Sequence, residues 1–260
     1  MIDYTFSMVE LEFFLLVLMR VTSFIFAAPF FAMTGTPRRV RVALGVFIAI
    51  LLYRLDLPHP TLEYQTVLGY SVLVIKEMTV GILVGYSAQI CMQIMNFAGR
   101  NIDMNIGLSM MSMMDPTTRE NTSITGIYLH YFSMLILLVS GLYQFLIRAL
   151  ADTYRLIPVG GAVFDQEKLL NALTAFLADY LIIGFRISLP IFCVIMIVNV
   201  VLGILAKVAP QLNMFAVGIQ IKLLFGLATL FLTVAILPGA TDFIMVQMKK
   251  LVSQVMEGML

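Results

Sequence analysis

Long apolar runs, each closed by a short polar or Pro/Gly break, make up most of this chain. The runs lie at 13–33, 64–98, 124–150, 181–206 and 217–237. A bilayer span needs about 20 apolar residues, so these runs predict helices of membrane length. The run at 42–53 is shorter, which predicts a re-entrant piece or one packed on protein. The first break carries Thr34-Gly35-Thr36-Pro37, the second Leu57-Pro58-His59-Pro60 and the third Asp115-Pro116 with the polar stretch 117–123. Pro158-Val159-Gly160-Gly161 marks the main internal boundary, and Lys207 to Asn213 forms a further polar turn. Residues 164–180 are amphipathic and lead into the run at 181–206, while the run at 217–237 ends on Pro238-Gly239. In the tail, 241–260, Ile244, Met248, Leu251, Val252 and Val255 share one helical face. Lys249, Lys250, Gln254 and Glu257 lie off it, the pattern of an amphipathic helix. Apolar/polar alternation is absent, and the runs are too long and uniform for barrel strands. The pattern therefore predicts an all-α, membrane-associated protein. No internal repeat is visible, and the part after Pro158 reads as one helical hairpin.

Composition strengthens this picture. Of 260 residues, 61% are hydrophobic and 12% charged, against about 25% charge in soluble domains. Lipid or partner subunits must cover so much apolar surface. A net charge of +1 leaves no basic footprint for nucleic acid. The N-terminus begins with Asp3, Glu10 and Glu12 and lacks the basic start of a cleaved signal peptide. Insertion through an uncleaved first helix is expected. Trp is absent, so an interfacial aromatic belt would rest on Tyr53, Tyr64, Tyr70, Tyr128, Tyr131, Tyr154 and Tyr180. The densest basic cluster, Arg38, Arg39 and Arg41, would face the cytoplasm by the positive-inside rule.

Chemistry-bearing residues are sparse. Cys91 and Cys193 sit inside apolar runs, without the spacing of a metal site. His59 and His130 are the only histidines, and each reads as a polar interfacial residue. Gly85-Tyr86-Ser87-Ala88 superficially resembles a G-x-S-x stretch, with His130 as a base, but four-residue matches are common by chance. Ser87 is expected to bond a backbone carbonyl or a neighbouring helix. Metalloprotease and phosphate-loop patterns are missing. No catalysis, cofactor or metal is expected.

Two features invite function. Arg20, Lys76, Glu77, Arg186 and Lys222 lie inside apolar segments, where a charge at the bilayer centre costs at least ~2.5–3.5 kcal/mol. They either line an aqueous path, or pair with other subunits, or lie outside the hydrocarbon. Lys76 and Glu77 are adjacent and point to different helix faces, which favours partners outside the chain. The second feature is the window 104–116, which holds five of the nineteen methionines. Met104, Met110, Met111, Met113 and Met114 lie between Asp103 and Asp115-Pro116. Flexible, polarizable methionines suit a surface that seals against changing shapes, although the same residues also suit plain core packing.

Over most of its length the chain resembles the FliR/SctT family of type III secretion export-gate proteins. The resemblance rests on Ala28-Pro29-Phe30-Phe31, Gly35-Thr36-Pro37-Arg38-Arg39-Val40-Arg41, and Gly99-Arg100-Asn101-Ile102-Asp103. It continues in Gly107-Leu108-Ser109 through Asp115-Pro116, Leu156-Ile157-Pro158-Val159-Gly160, and Ala209-Pro210-Gln211-Leu212-Asn213 through Gly218. It implies a subunit of the flagellar export gate in the bacterial inner membrane, within the basal body, that passes unfolded substrates. It implies FliP-like and FliQ-like partner subunits, other membrane proteins of the apparatus, and no enzyme activity. Residues 1–160 would be FliP-like and residues 161–260 a FliQ-like hairpin with an amphipathic tail. Much of such an assembly would stand above the bilayer, which would account for the charges in apolar runs. By motif match, Leu108, Ser109, Met110, Met111, Met113 and Met114 would form the pore plug. Family members often place aromatic residues there; methionines imply a soft apolar plug. Arg20, Arg38, Arg39, Arg41, Lys76, Glu77, Asp103, Asp115, Arg186 and Lys222 would be subunit contacts or buried charges. The alternative is a small-solute transporter or channel, which often shows repeats and broken helices.

Overall fold

The structure, a computed structural model, describes residues 8–33, 35–54, 64, 66–109, 123–211 and 213–260. Among these residues it is all helix and turn, with no strand. In chain order come α1 (Met8–Ala27), α2 (Arg38–Tyr53), α3 (Val67–Ile106), α4 (Ile124–Val139) and α5 (Leu142–Leu156). Then follow α6 (Gln166–Val208), α7 (Met214–Thr233), a 3₁₀ turn at Val234–Ile236 and α8 (Leu237–Glu257). Three helical segments, Val67–Ile106, Gln166–Val208 and Ala216–Glu257, are long and apolar enough to cross a membrane. The pair α4 and α5 adds a fourth if it forms one bent span.

The chain divides into two compact units. The first contains Met1–Cys91, Gly141–Phe176 and Val246–Leu260; the second contains Met92–Ser140 and Leu177–Met245. Helices α3, α6 and α8 contribute residues to both. The proposed division at residue 160 concerns kinship with two kinds of subunit, a matter separate from compactness.

In the first unit α2 packs on α1, so the short run at 42–53 lies on protein. Gly45 allows the approach: a Cβ there would sit 2.7 Å from Thr22 Cγ2. The core takes Leu16, Val17, Phe24 and Ile25 from α1, Val80, Val84 and Ala88 from α3, and Leu142, Leu146 and Leu150 from α5. The spacing of the α5 residues is the i, i+4, i+8 stripe of an amphipathic helix. The tail closes this unit. Met248, Leu251, Val252 and Val255 are buried as the pattern predicts. The Val163 and Asp165 N–H groups donate to the Met259 and Gly258 carbonyls at 3.2 and 2.9 Å. Ahead of α6, the Asp165 carboxylate caps the helix by accepting the N–H groups of Glu167 and Lys168 at 3.1 and 3.2 Å.

The second unit is built from the end of α3, α4, and the apolar lengths of α6 to α8. Met92, Met95, Ala98, Ile102 and Ile106 of α3 are buried, with Leu129, Met134 and Leu137 of α4 and Ile183, Ile191 and Ile195 of α6. Gly184 faces the Phe97 ring, which meets Tyr180 and Phe185 at centroid distances of 5.2 and 5.5 Å. Near the turn after α6, Leu202 lies 3.5 Å from where a Cβ on Gly218 would sit. The two apolar lengths thus run back on each other as a hairpin.

Four local features differ from the pattern-based expectation. The run at 124–150 is broken at Ser140-Gly141, between α4 and α5. Gly141 has φ 89°, a left-handed conformation that glycine adopts without penalty. Helix α3 runs on to Ile106, so Met104 belongs to its last turn. Pro238-Gly239 begins α8 rather than ending α7, since proline is tolerated in a helix's first turn. Finally, Tyr154 is buried rather than interfacial.

Candidate functional site

The methionine window has a built base within the second unit. Helix α3 ends at Ile106 and α4 begins at Ile124, and the intervening segment leaves and returns at one place. There the Asp103 carboxylate, 4% exposed, accepts the Ser123 hydroxyl at 2.6 Å and the Thr125 N–H at 3.3 Å through one oxygen. Ser123 in turn caps α4, its Oγ accepting the Gly126 N–H at 2.8 Å. One carboxylate therefore ties the exit of α3 to the start of α4.

Glycine makes this proximity possible. A Cβ on Gly99 would lie 2.2 Å from both Cα and N of Gly126, so the α3 and α4 backbones pack with nothing between them. Small residues permit such close helix approach. Gly99 and Asp103 are one helical turn apart on the same face of α3. The sequence motif Gly99 to Asp103 is thus the base of the loop. Asp103 Oδ1, Asn101 Nδ2 and Ser133 Oγ are buried with no hydrogen-bond partner among the described residues.

Of the expected plug residues, Leu108 and Ser109 are half-buried just beyond Gly107. Met110, Met111, Met113, Met114 and Asp115 lie outside the described residues, as does His59.

A second polar cluster occupies the interior of the first unit. Arg20 of α1 and Glu77 of α3 are both fully buried and form a two-point ion pair. Arg20 Nε donates to Glu77 Oε2 at 2.6 Å and Nη2 to Oε1 at 2.9 Å. Nη1 donates to the carbonyls of Thr153 and Ile157 at 3.2 and 2.9 Å. Glu77 Oε1 also accepts the Gly160 N–H at 2.8 Å. The Tyr154 ring stacks 4.4 Å from the guanidinium carbon, and its hydroxyl donates to the Val17 carbonyl at 3.0 Å. The cluster joins α1, α3, the end of α5 and the Pro158 turn. Glu77 finds its partner inside the chain, where sequence reasoning looked for one outside.

The remaining charges are not brought together. Arg38 and Arg39 are exposed at the start of α2. Arg41 donates to the Met33 carbonyl and lies 5.9 Å over the Phe26 ring. Lys76 and Lys222 are half-buried, and Arg186 is exposed. Outside the apolar spans, the donated N–H of Lys168, with that of Glu167 and the nearby Lys168 charge, holds the Asp165 carboxyl below its usual range. Tyr64 donates to the Glu12 carboxylate, and that bond raises its hydroxyl pKa. Ser87 donates to the Val84 carbonyl at 2.8 Å. His130 Nδ1 lies 3.5 Å from Asn96 Nδ2. The described residues contain no group of three or more His, Cys, Asp or Glu that could hold a metal.

An all-helical protein with several membrane-length apolar helices, whose α3 and α4 are tied together at the base of a methionine-bearing sequence, belongs to the class of polytopic membrane proteins. Comparison with known proteins narrows the class. The family model for bacterial export proteins, family 1, matches residues 11–248, and the chain belongs to that family. It is 29% identical to the flagellar biosynthetic protein FliR of Bacillus subtilis (strain 168), over 81% of each chain. It is 28% identical to FliR of Pectobacterium carotovorum subsp. carotovorum, over 91% of this chain and 90% of that one. It is also 28% identical to the surface presentation of antigens protein SpaR of Shigella sonnei, over 62% of this chain and 61% of that one. The chain is a membrane protein of the flagellar and type III export apparatus.

Proposed function

We propose that this chain is a gate-forming subunit of the flagellar export channel in the bacterial inner membrane, at the base of the flagellum. Its methionine segment closes a conduit for unfolded polypeptides. FliP-like and FliQ-like subunits surround it, together with other membrane proteins of the apparatus. Residues 1–160 take the FliP-like role and residues 161–260 the FliQ-like hairpin. The chain carries out no chemistry; its work is mechanical closure.

The observation that carries this reading is the Asp103–Ser123 tie under a Gly99/Gly126 contact. It ties the end of α3 to the start of α4, on either side of the methionine-bearing segment, at one point. Flexible thioethers at a constriction exclude water when it is closed, as hydrophobic constrictions do, and deform around a passing chain.

A photo-crosslinking residue at position 111 tests the reading in the assembled apparatus. With an export substrate stalled in transit, it should capture that substrate. Capture of lipid alone, or of neighbouring helices regardless of substrate, would refute the gate.

A further inference from the structure

Helix α3 is long and apolar enough to cross a membrane, yet its last three turns in the second unit carry a polar stripe. Gln93, Asn96, Arg100 and Met104 follow at spacings of three, four and four, so they share one helical face. At about 1.5 Å per residue the stripe climbs roughly 16 Å. It ends at Met104, the first methionine of the window, which is 70% exposed and adjoins Asp103 of the loop base.

Helices α4 and α6 stand on either side of the stripe, all within the second unit. On the α4 side, Asn96 Nδ2 lies 3.5 Å from His130 Nδ1. On the α6 side, the Tyr180 hydroxyl donates to the Gln93 carbonyl at 3.4 Å, and its ring meets that of Phe97. The stripe is not sealed between them: Gln93 and Asn96 are half-buried and Arg100 is exposed. Asn96 Nδ2 donates to Gln93 Oε1 at 2.8 Å. Gln93 Nε2 and Asn96 Oδ1 then keep one donor and one acceptor without a hydrogen bond among the described residues.

We propose that this stripe is a wall of the export conduit, occupied by the extended backbone of an unfolded polypeptide on its way to the methionine segment. The proposal rests on the reading of the chain as part of a polypeptide conduit. An unfolded chain presents peptide N–H and C=O groups that have no partner of their own. The free amide donor and acceptor on the stripe match them. Lipid does not fit, because amides and a guanidinium turned toward hydrocarbon are costly. A partner helix does not fit either. It would bury the Arg100 guanidinium, which is unfavourable without a counter-charge, and it would cover Met104 at the foot of the segment. The stripe runs without a break into the loop base, and that continuity decides for the conduit.

The test uses membrane vesicles that hold the assembled apparatus. Single substitutions Asn96→Cys and Arg100→Cys are compared with Leu135→Cys on the apolar face of α4, where Leu135 is 61% exposed. An anionic, water-soluble methanethiosulfonate is supplied on both membrane faces, and mass spectrometry reads modification at each position. N96C and R100C should react roughly tenfold faster than L135C, since a charged reagent is kept out of hydrocarbon. A substrate stalled in transit should slow both and leave L135C unchanged. A photo-crosslinker at position 96 should capture that substrate. Reaction at 96 and 100 no faster than at 135, or unaltered by the stalled substrate, would overturn the wall. Capture of substrate at 111 but of a partner subunit at 96 would overturn the wall and keep the methionine gate. Capture at 96 alone would keep the wall and sink the gate, and capture at neither position would overturn both.

Discussion

Removing Glu77 should destabilise the chain more than any surface change, because it strands a buried cation. In the native chain the Arg20 guanidinium and the Glu77 carboxylate are both 0% exposed and share two hydrogen bonds, at 2.6 and 2.9 Å. Glu77→Ala leaves that guanidinium without a counter-charge and the Gly160 N–H without its acceptor. Breaking a buried pair from one side costs about 3–5 kcal/mol, a large part of the roughly 5–15 kcal/mol that holds a domain together. The unfolding midpoint of the purified assembly should fall on the order of 10 °C, and the amount of chain in the membrane should fall with it. Replacing both partners by apolar residues of similar size removes the stranded charge, an exchange that is often neutral or better. The double variant R20M/E77L should therefore lie closer to the parent than either single variant. An E77A stability within about 0.5 kcal/mol of the parent, or a double variant equal to the sum of the singles, would refute the reasoning.

The loop base and the α6 cap yield further expectations. Asp103→Ala takes the acceptor from the Ser123 hydroxyl and the Thr125 N–H, a loss of about 1–3 kcal/mol. Protease should then cut within 107–122 faster in the assembled complex, with D103N intermediate. Gly99→Ala drives a methyl against the Gly126 backbone and should destabilise the α3–α4 contact by about 1–3 kcal/mol, seen as a lower assembly yield. Asp165 has a folded pKa below its unfolded value, chiefly through the donated Lys168 N–H. Its contribution is thus complete above the ordinary carboxylate range and lost as pH falls through the depressed folded value. Parent and D165A midpoints should differ at pH 7 and converge in acid below about pH 4; a constant gap would contradict the cap.

The helices were legible because apolar runs bounded by Pro and Gly survive any tertiary context. The tail stripe is buried at Met248, Leu251 and Val252 as its period predicts. Ser140-Gly141 carried a turn signal of its own, yet it was submerged in an apolar run and read as continuous helix. The Arg20–Glu77 pair was not legible. Its members are 57 positions apart, and periodicity says nothing about which helices become neighbours. The adjacency of Lys76 and Glu77 pointed outward, whereas folding divides them, Glu77 into the core and Lys76 half-exposed. The loop base was visible only as a motif: Gly99 and Asp103 stood out, but their purpose depends on Gly126 and Ser123 across the break. The methionines themselves remain known from sequence, framed by the geometry beneath them.

Current through the purified assembly in a planar bilayer tests the gate most directly. The parent should hold a voltage without passing ions, and changing Met110, Met111, Met113 and Met114 together to Gly should open a steady conductance at normal subunit incorporation. A quadruple variant as tight as the parent would contradict the account.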